Sequence, residues 1–472
     1  MKAAAQQHRS FLYLGSLFLF SSITAILLEE VWPLLFPFLL LLLCSGWAFP
    51  FLPWALLLIS IPFSIEYAFD SGLGTDLPDE PLMLLTAFIG LATALYAANT
   101  NWKLRPQLIL SVLGILLLWT LLTVYFSTNQ LISFKYLLAK GWYLGAFVLA
   151  PVVVLSNPRL IRISALLLGG SMFCVTLLIL FRQAGQGFLF AAVNEAVSPF
   201  FRNHVNYSAL LVCMIPVWAA SYFLSGSLIL KRLVLLILLI SLTALFFSYA
   251  RGAWLALLTG GISYWLIRRK ILVYVYLFVL AAALGTFTWL ASEDRYLQWA
   301  PDYQRTVFHT DFSEHLTATY ALRDMSAAER FHRWIAGTRM IQDRPLTGYG
   351  PGTFYEQYKP YTVPAFRTWV SDNPERSTIH NYYLLTLTEQ GIPGLFFWIL
   401  LTSLLLLTAQ RIWHQSADRF TRIAAMTTGV ILVMLLTLNS LSDLVETDKA
   451  GSLFFICLAV LVVLDRKQPV VR

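Results

Sequence analysis

Apolar stretches about 20 residues long recur along the whole chain, separated by short polar segments and by one long one at 292–379. Each is close to the length at which an α-helix crosses about 30 Å of hydrocarbon. Helices are the spanning form that satisfies every backbone group within one segment, and the short alternating segments of a membrane barrel are absent. The pattern predicts spans at 11–28, 31–49, 52–69, 81–98, 108–126, 136–155, 163–181, 205–224, 233–250, 252–267, 271–291, 392–409, 423–440 and 450–464. Pro33, Pro37, Pro50, Pro53 and Pro62 interrupt the second and third, so the expected total is twelve to fourteen. The fold class is an all-α polytopic membrane protein with a long, helical outer loop.

The polar segments predict three parts. Residues 1–291 form an N-terminal transmembrane bundle with a small outer loop at 182–204, residues 292–391 a large loop with amphipathic helices, and residues 392–472 a three-span C-terminal segment. In the large loop, Ser326 and Glu329 have the spacing of a capping box and predict a helix from there to Pro345. Its apolar stripe is Phe331, Trp334, Ile335, Thr338 and Ile341, and Arg330 and Arg333 share a face. GYGPG at 348–352 is a turn cluster without the Lys-Ser/Thr pair of a phosphate-binding loop. A second amphipathic segment, TFYEQYKPY, is broken by Pro360. Ser377 reads as the N-cap of the next helix, which puts His380 in its first turn, and Gly391, Pro393 and Gly394 predict a bend before the following span.

Composition agrees with the pattern: 58% of the 472 residues are hydrophobic and only 12% charged, against roughly a quarter charged in soluble domains. Charge sets the orientation. With a cytoplasmic N-terminus, the inner loops carry Arg159, Arg162, Lys231, Arg232, Arg268, Arg269, Lys270, Arg411, Arg419 and Arg422, while Asp418 and Asp465 are their acidic residues. That satisfies the positive-inside rule, places both termini in the cytoplasm and turns 292–379 outward. The net charge of +8 is therefore a topology signal, suited to the anionic cytoplasmic leaflet, and needs no nucleic-acid partner. The first apolar segment, followed directly by Glu29 and Glu30, reads as an uncleaved span. Cys44, Cys174, Cys213 and Cys457 all fall in spans, which leaves the outer loop without a disulfide and the chain without a cysteine metal cluster.

His380 is the leading candidate for chemistry. In a first helical turn the partial positive charge of the N-terminus disfavours an imidazolium, and a neutral imidazole is what a general base requires. The plainer reading is an interfacial histidine that caps the helix. Arg202 in FFRNHVN, Arg251 at a span start and Arg330 at the head of the loop helix are each interfacial anchors or ligands. Together they suit a pyrophosphate, whose oxygens match planar bidentate donors. Glu389 lies near the membrane and either orients a base or pairs an arginine. Asp443, Glu446, Asp448 and Lys449 read as a small outer loop with solvated charges. Trp334, Tyr349, Tyr355, Tyr358, Tyr361 and Trp369 either stack on sugars or pack the loop.

The succession SYARGAW from Ser248, RFHRW from Arg330, DRPLTGYGPGTF from Asp343 and HNYYLLTLTEQGIPG from His380 resembles the O-antigen ligase and polymerase superfamily, bacterial membrane enzymes that move glycans from a polyprenyl diphosphate carrier. The resemblance covers roughly residues 200–440. It implies inverting glycosyl transfer, without metal or cofactor, on the periplasmic side of the cytoplasmic membrane. His380 takes the catalytic position, Arg251 and Arg330 the diphosphate-binding positions, with Arg202 a less direct match. Asn381, Glu389 and Arg333 take supporting ones. The implied donor is a polyprenyl (undecaprenyl) diphosphate-linked glycan, and the acceptor is a lipid or glycan such as lipid A-core. A polymerase joining lipid-linked repeat units is the alternative, and a flippase or transporter of lipid-linked glycans a third reading.

Overall fold

The computed structural model describes residues 45–68, 74–99, 107–155, 157–299, 325–367, 371–373 and 376–466, with Ser21, Thr24 and Leu43 besides. The expected spans at 11–28 and 31–49 lie for the most part outside these residues. The described chain runs α1 (Phe51–Ser60), a hairpin of β1 (Ile65–Ala68) and β2 (Gly74–Leu77), then α2 (Asp79–Asn99), α3 (Leu108–Tyr125), α4 (Gln130–Val154) and α5 (Pro158–Gly185). It continues through α6 (His204–Leu224), α7 (Leu228–Phe247), α8 (Arg251–Arg268) and α9 (Leu272–Ala291) to the loop helix α10 (Met325–Asp343), and ends with α11 (Tyr382–Gln415), α12 (Arg419–Asn439) and α13 (Asp448–Arg466).

Nine of the described helices are long and apolar enough to cross a membrane. Two more, α8 and α13, have 18 and 19 residues with charges near their ends. Helices thus stand at every expected span from 81–98 onward. The expected span at 52–69 does not form. α1 has only 10 residues, and the chain after it turns into the antiparallel hairpin that pairs Ile65 with Leu77.

Helix character follows position. Every residue of α13 from Ala450 to Leu464 is buried, in keeping with a segment apolar on all faces that serves as the core of a bundle. α12 packs chiefly against α8 and α11, and α11 against α3. At the opposite extreme, α9 leaves Tyr274, Phe278, Leu284 and Trp289 exposed, so its apolar surface is suited to lipid rather than protein. α4 passes through a π-helical turn at Gly145–Leu149.

The loops sort to two ends. At one, Thr128 N–H donates to the Tyr349 carbonyl at 2.9 Å, Lys449 Nζ to the Ser64 carbonyl at 2.8 Å, and the Tyr249 hydroxyl to the Phe188 carbonyl at 2.6 Å. These contacts tie the large loop to the α3–α4 turn, the chain before the hairpin to the start of α13, and the small loop to the α7–α8 turn. At the other end, Arg411 pairs with Asp465 at 2.6 Å and Arg419 donates to the Phe223 carbonyl at 2.8 Å. That second end carries the basic loops.

Candidate functional site

α10 is built to hold the strand of chain that precedes His380. Arg333 Nη1 donates to the Thr378 carbonyl and Trp334 Nε1 to the Ile379 carbonyl, both at 3.0 Å. Arg333 is buried and pairs through Nη2 with Glu329 Oε2 at 3.4 Å, one turn back on the same helix. The other oxygen of Glu329 accepts from the Ser371 hydroxyl at 2.6 Å, so its carboxylate ties α10 to the loop, and the Ser326 side chain of the expected capping box lies outside the described residues. Ile335, Ala336 and Met340 bury the inner side of α10.

The next residues are fixed to the α12–α13 turn. Asn381 is the N-cap of α11, its Oδ1 accepting from Leu384 N–H at 3.1 Å while its Nδ2 donates to the Ser440 carbonyl at 3.0 Å. Tyr382 N–H donates to the Ser442 carbonyl at 3.2 Å. Ser377, the expected cap, instead exchanges hydrogen bonds with Asn373. His380 therefore stands just outside α11, with φ of +53° in the left-handed region, and not in its first turn. The helix-dipole reason for a neutral ring falls away with that position.

Another group takes its place. His380 Nδ1 lies 3.7 Å from Asp443 Oδ1, and Asp443 Oδ2 accepts from the Thr378 hydroxyl at 2.6 Å. Burial alone would raise the Asp443 pKa, but His380 and Thr378 outweigh it and hold the carboxyl below its usual range. The His380 side chain is 34% exposed against 16% for Asp443, so the imidazole meets the carboxylate while about a third of it remains open to solvent. Asp443 was read from sequence as a solvated loop charge. Its neighbours are no more solvated: Glu446 accepts from Tyr136 and Lys140 at 2.9 and 3.0 Å, and Lys449 spans Ser64 and Phe200.

The arginines divide. Arg251 opens α8 two residues after Tyr249, whose φ is +55°. A Cβ on the next residue, Gly252, would lie 3.3 Å from Leu441, so the start of α8 packs on the turn that leads to Asp443. Arg330 is half-buried on α10, three residues before Arg333. Arg202 is exposed and lines a separate cavity of about 530 Å³ with Glu66, Asp76, Asp448 and Lys449.

Glu389 is engaged by the GYGPG turn. Its oxygens accept from Gly352 and Phe354 N–H at 2.9 and 3.1 Å, while the carbonyls of Thr388 and Glu389 accept from Tyr349 and Gly350. The GYGPG turn is thus seated on α11. The seat exists because α11 breaks at Gly391, with φ of +69°, where a Cβ would lie 2.0 Å from the Leu346 carbonyl oxygen. At Gly348, also left-handed, a Cβ would meet the Glu389 backbone at 2.4 Å. The expected bend is therefore present. The segment after the turn is a short helix, Phe354–Gln357, followed by a 3₁₀ turn containing Pro360. Tyr349 and Tyr358 are buried and pack the loop, whereas Tyr355 and Tyr361 are half-buried and Trp369 lies outside the described residues.

Among the described residues, no group of three or more His, Cys, Asp or Glu side chains is arranged to hold a metal ion. The site is an imidazole and a carboxylate on one hydrogen-bonded turn, and such a pair can move a proton. No curated protein matches the chain. Residues 236–399, from α7 through the first half of α11, match the family model described as O-antigen ligase.

Proposed function

Because the chain belongs to the O-antigen ligase and polymerase superfamily, we propose that it is a ligase that transfers a glycan from a polyprenyl diphosphate carrier to an acceptor hydroxyl on a lipid or glycan, at the periplasmic face of the bacterial inner membrane. The observation that carries this reading is the approach of His380 Nδ1 to Asp443, with part of the side chain open to solvent.

In this reading the carboxylate holds the proton on Nδ1 and leaves Nε2 as the basic nitrogen. Nε2 takes the proton of the acceptor hydroxyl as its oxygen bonds to the anomeric carbon. The bond from that carbon to the diphosphate oxygen breaks on the opposite face, so the configuration inverts. Arg251 and Arg330 neutralise the charge that develops on the diphosphate, for which a planar guanidinium is suited. Arg333 and Asn381 position His380 from either side, and Glu389 supports the loop. The reading does not require Arg202.

The test is transfer in vitro from a defined lipid-linked glycan to lipid A-core acceptors by the purified protein and by His380→Ala. Transfer by the intact chain and its loss in the variant is expected. Undiminished transfer by the variant would overturn the assignment, and transfer only onto a second lipid-linked glycan would make the protein a polymerase.

A further inference from the structure

Not every cavity lies at the end that carries His380. One of about 550 Å³ opens at the basic end of the bundle, between the starts of α3 and α9 and the ends of α11 and α13. Leu108, Leu404 and Leu407 form its wall, and Leu108 and Leu407 are exposed. Its polar rim holds Lys270, Arg411 and Gln107. Lys270 is exposed in the turn between α8 and α9, with φ of +61°. Arg411 pairs with Asp465 at 2.6 Å, the one carboxylate on the rim among the described residues. Gln107 donates through Nε2 to the Val462 carbonyl at 3.0 Å, but its buried Oε1 has no hydrogen-bond partner among the described residues.

We propose that this cavity binds one anionic glycerophospholipid of the leaflet at the basic end. The phosphodiester lies between Lys270 and Arg411, a headgroup hydroxyl donates to Gln107 Oε1, and an acyl chain lies along Leu404 and Leu407. Two permanent cations against one carboxylate leave a net positive rim that a phosphodiester balances. The unpartnered amide oxygen calls for a donor, which a glycerol headgroup has and a choline headgroup lacks. The leucine wall favours a lipid over a small soluble phosphate, because it continues onto the exposed apolar surface of Leu108 and Leu407.

The test uses the full chain in detergent, with retained lipid read by native mass spectrometry after titration with phosphatidylglycerol, phosphatidylcholine or glycerol 3-phosphate. Retention of one phosphatidylglycerol about tenfold more tightly than phosphatidylcholine is expected, and glycerol 3-phosphate should not displace it. Equal retention of the two lipids, or displacement by the soluble phosphate, overturns the proposal without recourse to any variant. Lys270→Asn keeps a residue that tolerates the left-handed backbone and should weaken phosphatidylglycerol retention about tenfold. Arg232→Ala, an exposed basic residue at the same end but outside the cavity, should leave it unchanged. Equal loss in both variants would mean diffuse surface charge and no site.

Discussion

His380 and Asp443 stand 63 residues apart in the chain, yet Nδ1 of one lies 3.7 Å from Oδ1 of the other. The turn that carries Asp443 is held by Asn381 and Tyr382, the two residues that follow His380, so histidine and carboxylate share one hydrogen-bonded frame. As a general base, His380 is expected to contribute about 10² to 10⁴ in rate, so His380→Ala should lower transfer by that factor. Asp443→Asn should cost on the order of 10- to 100-fold and change the pH profile of the remaining activity. Transfer rates across pH for both variants check this, and an unaltered rate in Asp443→Asn would separate the carboxylate from the chemistry.

Arg333 and Trp334 grip successive carbonyls ahead of His380. Arg333→Leu removes a buried cation from Glu329 and the donor to the Thr378 carbonyl, and should destabilise the loop by about 1–3 kcal/mol. Trp334→Phe keeps the ring and removes one hydrogen bond, about 1 kcal/mol. Protease cleavage of the loop in membranes should rise strongly in the first variant and slightly in the second, and transfer should fall in the same order.

Gly391→Ala would set a Cβ against the Leu346 carbonyl in a left-handed residue and should strongly reduce folded protein. Glu389→Ala leaves the N–H groups of Gly352 and Phe354 without their acceptor and should cost about 1–3 kcal/mol. Thermal unfolding followed by fluorescence size-exclusion measures both. A fully stable Gly391→Ala protein would contradict the seated turn.

His332 gives the loop an acid limit. Burial holds its imidazole below the ordinary value of 6.5 against the pull of Glu329, with Arg333 and Arg367 adding to the depression. The unfolded chain then binds the proton more readily than the folded loop does. Stability is therefore complete above about 6.5 and falls as pH drops below it toward the folded-state value. Loop proteolysis should rise between neutral and mildly acidic pH, and His332→Gln should flatten that rise. The same acid sensitivity in the variant would assign it to another group.

Arg251→Lys keeps the charge at the start of α8 but loses the bidentate fork, so donor KM should rise about tenfold while acceptor KM stays the same. Steady-state kinetics with each substrate varied in turn separates the two, and an equal rise in both would argue for a structural role.

Much of the architecture is legible in the order of residues, because a 20-residue apolar run has few alternatives in lipid. The helices from α2 onward stand where apolar runs end in Gly, Pro or charge, and the break at Gly391 was marked by its own residues. Missed features depend on distant partners. Ser377 and Asn381 are equally good caps by type, and Ser440, reached only through the fold, accepts from the Asn381 amide. Asp443 looked like one acid among several in a loop. The hairpin after α1 did leave a local trace, since Asp70, Ser71, Gly72 and Gly74 form a turn cluster that an apolar count passes over.

The break in α11 has a mechanical consequence. The first turns of this helix start at the N-cap beside His380, its middle receives the 345–354 turn, and its lower half runs on as a membrane helix. Loop, imidazole and span are thus tied to one helix. Loosening the 345–354 turn would therefore free the middle of α11, the helix whose N-cap holds His380 against Asp443.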